Sequence, residues 1–143
     1  MALRSTSERM TETMKQELRE VRSSTAAGAF GQQIEIGAHR LPGDEPREKG
    51  GDDTGPAPHE LLLAAVASCA SMTVKAYAAR KGLSLRAVDV RVRGSHENGA
   101  FIVEREVRLD GDLDETERAR LVEIAGRCPV SKTLAGEIRI LTV

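Results

Sequence analysis

From Pro58 to about Lys81 the chain runs PHELLLAAVASCASMTVKAYAARK, with no glycine, no proline after the first residue and no charge between Leu61 and Val74. Pro58 suits the first position of a helix, where its missing N–H costs nothing, and Glu60 falls in the first turn, where the helix dipole favours negative charge. Gly82 ends the segment. A helix this long and apolar on nearly every side is expected to be the buried central rod of a fold. A chain of 143 residues has few other elements with which to cover it. A second copy of the chain is the expected cover, and a homodimer follows.

The rest of the chain supplies antiparallel strands and a second helix. ELREVRSS and FGQQIEIGAHRL, separated by TAAGA, read as a β-hairpin. PGDEPREKGGDDTGPAP is rich in Pro and Gly and too long for a simple connection, so it is either functional or mobile. After the helix, LRAVDVRVRGS and AFIVEREVRLDG alternate with period two around HENG and predict a second hairpin. Asp112 or Asp114 can cap a helix over DETERARLVEIAGR, and the terminal GEIRILTV alternates again as a sheet edge. This order is an α+β architecture. Residues 1–17 are expected to form a flexible or helical arm and residues 18–143 one domain.

Charge and cysteine usage narrow the function. The 21 basic and 22 acidic residues are interspersed, so neither nucleic acid nor an anionic membrane is an expected partner. The polar N-terminus lacks a signal-peptide core, and no run approaches the roughly 18 apolar residues of a membrane span, so a cytoplasmic location is expected. Two cysteines and three histidines, with no CxxC, are too few for a disulfide scaffold or a closed zinc site. Cys69, mid-helix among alanines, reads from the helix alone as a small buried hydrophobe. Cys128 sits at a backbone break between Gly126-Arg127 and Pro129, where Arg127 can favour its thiolate. Spacing does not bring the two sulfurs together.

The segment GPAPHELLLAAVASCASMTVKAYAARKG, followed about sixty residues on by LDETERARLVEIAGRCPVSKTL, resembles the OsmC/Ohr family, in particular its subgroup with GPxPxELLLAAxxxC…CPV. The resemblance spans roughly residues 20–143. It implies an OsmC-like fold, with antiparallel sheets around a long buried helix in an intertwined homodimer. It also implies a thiol-dependent peroxidase that reduces organic hydroperoxides without a metal or organic cofactor. By position, Cys69 matches the peroxidatic cysteine, which becomes a sulfenic acid. Cys128 matches the resolving one, which condenses with it to a disulfide that an external thiol reduces.

Two departures bear on that chemistry. The family places a Glu ten residues before the peroxidatic Cys, paired with an Arg, but here that position is His59. Glu60 lies about 100° further around the helix and replaces that Glu only if the helix start is rotated; otherwise it is a first-turn acid. His59 either pairs with a carboxylate or faces solvent. Arg40 is the closest positional match to the family Arg. The subgroup's His-Arg after CPV is Ser131-Lys132 here. The competing function is a non-catalytic redox-sensing or apolar-ligand-binding dimer of the same fold.

Overall fold

The computed structural model describes residues 16–143; the predicted arm thus falls, up to residue 15, outside the described residues. The chain divides into two compact units, one ending at Gly55 and the other beginning at Pro56.

The first unit is an antiparallel meander of three strands, β1 (Val21–Thr25), β2 (Gln32–Ile36) and β3 (His39–Gly43), with Ser23, Ile34 and Leu41 in register across it. The single predicted hairpin is thereby corrected. Gly28, at φ 80°, makes the expected turn, but Gly37, at φ 59°, adds a second one with Ala38 and divides FGQQIEIGAHRL into two strands. The Pro/Gly segment that follows is folded around Asp44, which is 3% exposed. Its carboxylate accepts from the N–H groups of Glu45 (2.8 Å), Asp52 (3.3 Å) and Thr54 (3.1 Å) and from the Thr54 hydroxyl (2.6 Å). One turn of 3-10 helix, Arg47–Lys49, lies within this loop.

The second unit begins with α1 (Pro58–Lys81), which has Pro58 in its first turn and ends at Gly82 in the left-handed conformation, φ 67°. The predicted limits hold, and within one chain the helix buries a single face. Only Val66, Ala70, Val74 and Ala78, one stripe at i, i+4 spacing, are fully buried, while Met72 is 70% exposed. By length and composition α1 is apolar enough to cross a bilayer, which corrects the expectation that no such run exists. Its packed stripe makes it the core helix of this unit.

Strands β4 (Ser84–Glu97) and β5 (Ala100–Asp112) form one long hairpin turned by Asn98-Gly99, both at positive φ. Val88, Val90, Val107 and Leu109 pack from it onto the buried cluster. Gly94 allows the helix to come close, because a Cβ there would lie 2.8 Å from the Phe101 ring and 3.0 Å from a Leu63 methyl. α2 (Glu115–Ala125) starts at a capping box in which Asp114 accepts from Glu117 N–H (2.8 Å) and Glu117 from Asp114 N–H (3.0 Å). It inserts Leu121, Ile124 and Ala125 into the core.

A further short helix, α3 (Pro129–Ala135), was not predicted. The terminal segment GEIRILTV forms no strand, contrary to its alternation. Alternation establishes only that a segment can be half-buried in a sheet; among the described residues no edge pairs with it, and Ile138, Ile140 and Leu141 are exposed.

Candidate functional site

The backbone break predicted before Pro129 creates the site. α2 ends as Gly126 N–H bonds to Glu123 (3.1 Å) and Arg127 N–H to Ile124 (3.0 Å). Cys128 then takes an extended conformation, φ −64° and ψ 146°, and becomes the N-cap of α3, with Pro129 supplying a first-turn residue that lacks an N–H. Cys128 is therefore both the end of one helix connection and the start of another helix. It is fully buried.

A thiol at an N-cap occupies the place normally taken by a Ser or Asp oxygen, where backbone N–H groups converge. Ser131 N–H lies 3.4 Å from Cys128 Sγ and the Ser131 hydroxyl 2.9 Å from it. Arg105, reaching in from β5, donates through Nη1 to Ser131 Oγ at 2.9 Å and stands 4.0 Å from the sulfur. Cys69, half-buried on α1, packs against the core cluster that contains Cys128. Both cysteines are free thiols.

Burial pushes the Cys128 thiol up. The Ser131 hydroxyl and N–H, the Cys69 thiol and the Arg105 charge together outweigh it, so the net displacement is downward, toward thiolate. Arg127, the cation expected from the sequence, is not the one involved. It is exposed and pairs with Glu123. Beside this cluster lies a cavity of about 270 Å³ whose apolar walls are Val66, Phe101, Val103, Leu134 and Ala135, with Arg105 and Ser131 as the polar side.

The other predicted residues each have their own surroundings. Glu60 is exposed in the first turn of α1, nine residues and roughly 13 Å of helix rise from Cys69. Among the described residues it has no hydrogen-bond or ion-pair partner, which is the placement of a first-turn acid. Arg40 lies exposed on β3 in the first unit and pairs with Glu35 of β2 at 3.6 Å. His59 stacks edge-on with His96 and Phe101, ring centroids 5.3 and 5.5 Å away, instead of meeting a carboxylate. Lys132 contributes only its backbone N–H, to Cys128 O at 3.2 Å. No group of three His, Cys, Asp or Glu side chains among the described residues could hold a metal ion.

The sequence reading missed Arg105, although a signal existed. It occupies the inward-facing phase of β5, in a row otherwise made of Phe101, Val103, Val107 and Leu109. A cation in an apolar row marks a buried partner.

The fold is shared with solved structures of low sequence identity. An OsmC-like protein from Mycoplasma pneumoniae superposes with a TM-score of 0.72 at 19% identity, covering 85% of this chain and 90% of that one. A Legionella pneumophila protein described as an organic hydroperoxide resistance protein OsmC gives a TM-score of 0.66 at 24% identity, covering 84% and 90%. A Vibrio cholerae structure, described as a putative organic hydroperoxide resistance protein with captopril bound in one of the active sites, gives 0.62 at 22%, covering 87% and 90%. No curated protein matches the sequence. Residues 50–142, which carry α1, the long hairpin and both cysteines, match the family model described as OsmC-like protein, and the chain belongs to that family.

Proposed function

We propose that this protein is a thiol peroxidase that reduces organic hydroperoxides, with Cys69 as the attacking thiol and Cys128 as its resolving partner. The observation that carries this reading is that two free thiols share one core cluster, one half-buried on a core helix and the other fully buried and held toward thiolate. Relatives in fold that are described as organic hydroperoxide resistance proteins point to the same substrate class.

Cys69 is the more accessible sulfur, so it is the one to meet the peroxide. Its thiolate attacks one peroxide oxygen, the O–O bond breaks, and the alkoxide leaves to become the alcohol. Cys128 then displaces hydroxide from the Cys69 sulfenic acid to form the disulfide, and an external thiol returns both to the reduced state. The apolar cavity beside Arg105 and Ser131 favours a hydroperoxide with an apolar body. The exposed apolar flank of α1 and the exposed apolar C-terminal segment are covered, in this reading, by a second copy of the chain. A reducing cytoplasm suits a function that depends on two free thiols.

A second reading, a redox-sensing or ligand-binding dimer that does not turn over, is favoured by His59 standing in a ring stack and by Glu60 standing in solvent, so that α1 brings no carboxylate to Cys69. Reduced protein mixed with one equivalent of cumene hydroperoxide, followed by intact mass and thiol counting, separates the two. The peroxidase loses both thiols quickly; Cys128→Ser stops at a Cys69 sulfenic acid, and Cys69→Ser does not react. Thiols that persist for hours in the parent select the second reading.

A further inference from the structure

Arg105 is a half-buried charge in the apolar row of β5, and among the described residues no carboxylate pairs with it. Glu104 and Glu106, its neighbours in sequence, belong to the opposite face of the strand, where Glu106 pairs with Arg108. Both contacts of Arg105 run through one nitrogen: Nη1 donates to Ser131 Oγ at 2.9 Å and stands 4.0 Å from Cys128 Sγ. The edge formed by Nε and Nη2, which can hold a carboxylate through two parallel bonds, is left without a protein acceptor among the described residues. A half-buried cation with free donors is costly unless an anion meets it. The cavity that Arg105 borders narrows the choice of anion. Its other walls are apolar apart from Ser131, and among the described residues Arg105 is the one charged side chain that lines it. A single cation against such walls suits a single negative charge on an apolar body, whereas a dianionic phosphate would bring charge that nothing here balances. A volume of about 270 Å³ lies just below the roughly 300–1,000 Å³ of drug-sized ligand sites, so the body is a chain of about eight carbons or one ring.

We propose that this cavity is a binding site for a small apolar monocarboxylate, whose carboxylate is held by Nε and Nη2 of Arg105 and whose body lies between Val66, Phe101, Val103 and Leu134. The inference does not rest on turnover at the thiols. Arg105 sets the selectivity, because an uncharged molecule of the same shape fills the walls equally well and leaves the guanidinium edge unmet. Where the thiols do reduce hydroperoxides, the bound carboxylate occupies walls that an uncharged hydroperoxide would use, and it competes without being consumed.

Calorimetric titration of the full-length reduced protein at neutral pH compares octanoate with octanol, which keeps the body and lacks the charge. Octanoate is expected to bind roughly ten-fold more tightly. Arg105→Gln removes that advantage and leaves the octanol affinity near the parent's. Arg127→Gln changes an exposed cation already paired with Glu123 and leaves the advantage intact. Ala135→Trp, which fills the cavity from α3, weakens both ligands. Octanoate bound no more tightly than octanol by the parent overturns the inference, and this comparison needs no variant to fold. An advantage that survives Arg105→Gln, or an octanoate affinity indifferent to Ala135→Trp, overturns it too. Thiol loss with cumene hydroperoxide is read separately. Octanoate selectivity in a protein whose thiols persist upholds the site and removes the peroxidase reading; fast thiol loss without octanoate selectivity does the reverse.

Discussion

Asp44 turns a stretch of Pro and Gly into a folded loop by accepting hydrogen bonds from Glu45, Asp52 and both donors of Thr54. The Thr54 hydroxyl, followed by the Thr54 N–H, pulls its carboxyl below the ordinary range; burial opposes them, and the Glu45 and Asp52 N–H groups add to the lowering. A depressed folded value means that this contribution to stability is fully present above the unfolded pKa of about 3.9 and is lost as pH falls through the lowered folded value. Asp44→Asn should therefore melt earlier at neutral pH and show a shallower acid limb than the parent. Melting temperatures from pH 7 down to 2 check this, and parallel curves count against it. Side-chain partners of this kind are not written in the residue types. Glu60 and Arg40 were named for their places in a family pattern, and the structure gives them solvent and Glu35 respectively. Arg105 was passed over in the sequence although it is a charge in an apolar phase, and which atoms it reaches depends on how β5 meets α3.

Elements with strong local codes were legible to within a residue or two. Pro58 and Gly82 bracket α1, period-two alternation and Asn98-Gly99 make the long hairpin, and Asp114 with Glu117 starts α2. α3 was not legible, because seven residues are too few to show a helical period and its start is a cysteine in the role usually played by an oxygen. α2 is joined to the core through Leu121, which is fully buried against α1, while Val122 beside it is 48% exposed. Leu121→Ala is expected to cost about 3 kcal/mol, and Val122→Ala less than about 0.5 kcal/mol. Urea midpoints of the two variants measure the contrast, and equal losses would mean that α2 does not seat as described.

At the scale of the whole molecule, a single chain leaves much apolar surface uncovered: Met72 on α1 and Ile138, Ile140, Leu141 and Val143 at the C-terminus are all more than half exposed. The proposed homodimer accounts for both. Sedimentation at micromolar concentration is expected to give the mass of two chains, and Met72→Asp to shift it toward one, because an ionised carboxylate would have to be desolvated at the contact. A parent that sediments as a single chain removes the dimer.

The amino-acid order alone determined the long helix, the hairpin that follows it and the ordered pair of cysteine motifs, since these rest on residues close in the chain: a proline and a glycine at helix ends, an alternation, a turn dipeptide. The division of FGQQIEIGAHRL at Gly37 was equally local but was masked by a run that reads as continuous. Only the tertiary structure decided which face of α1 is buried within the chain, that the terminal alternation finds no partner strand among the described residues, and that Arg105 and not Arg127 lies beside Cys128. Each of these depends on packing between segments distant in sequence, where geometry and not residue type selects the partner.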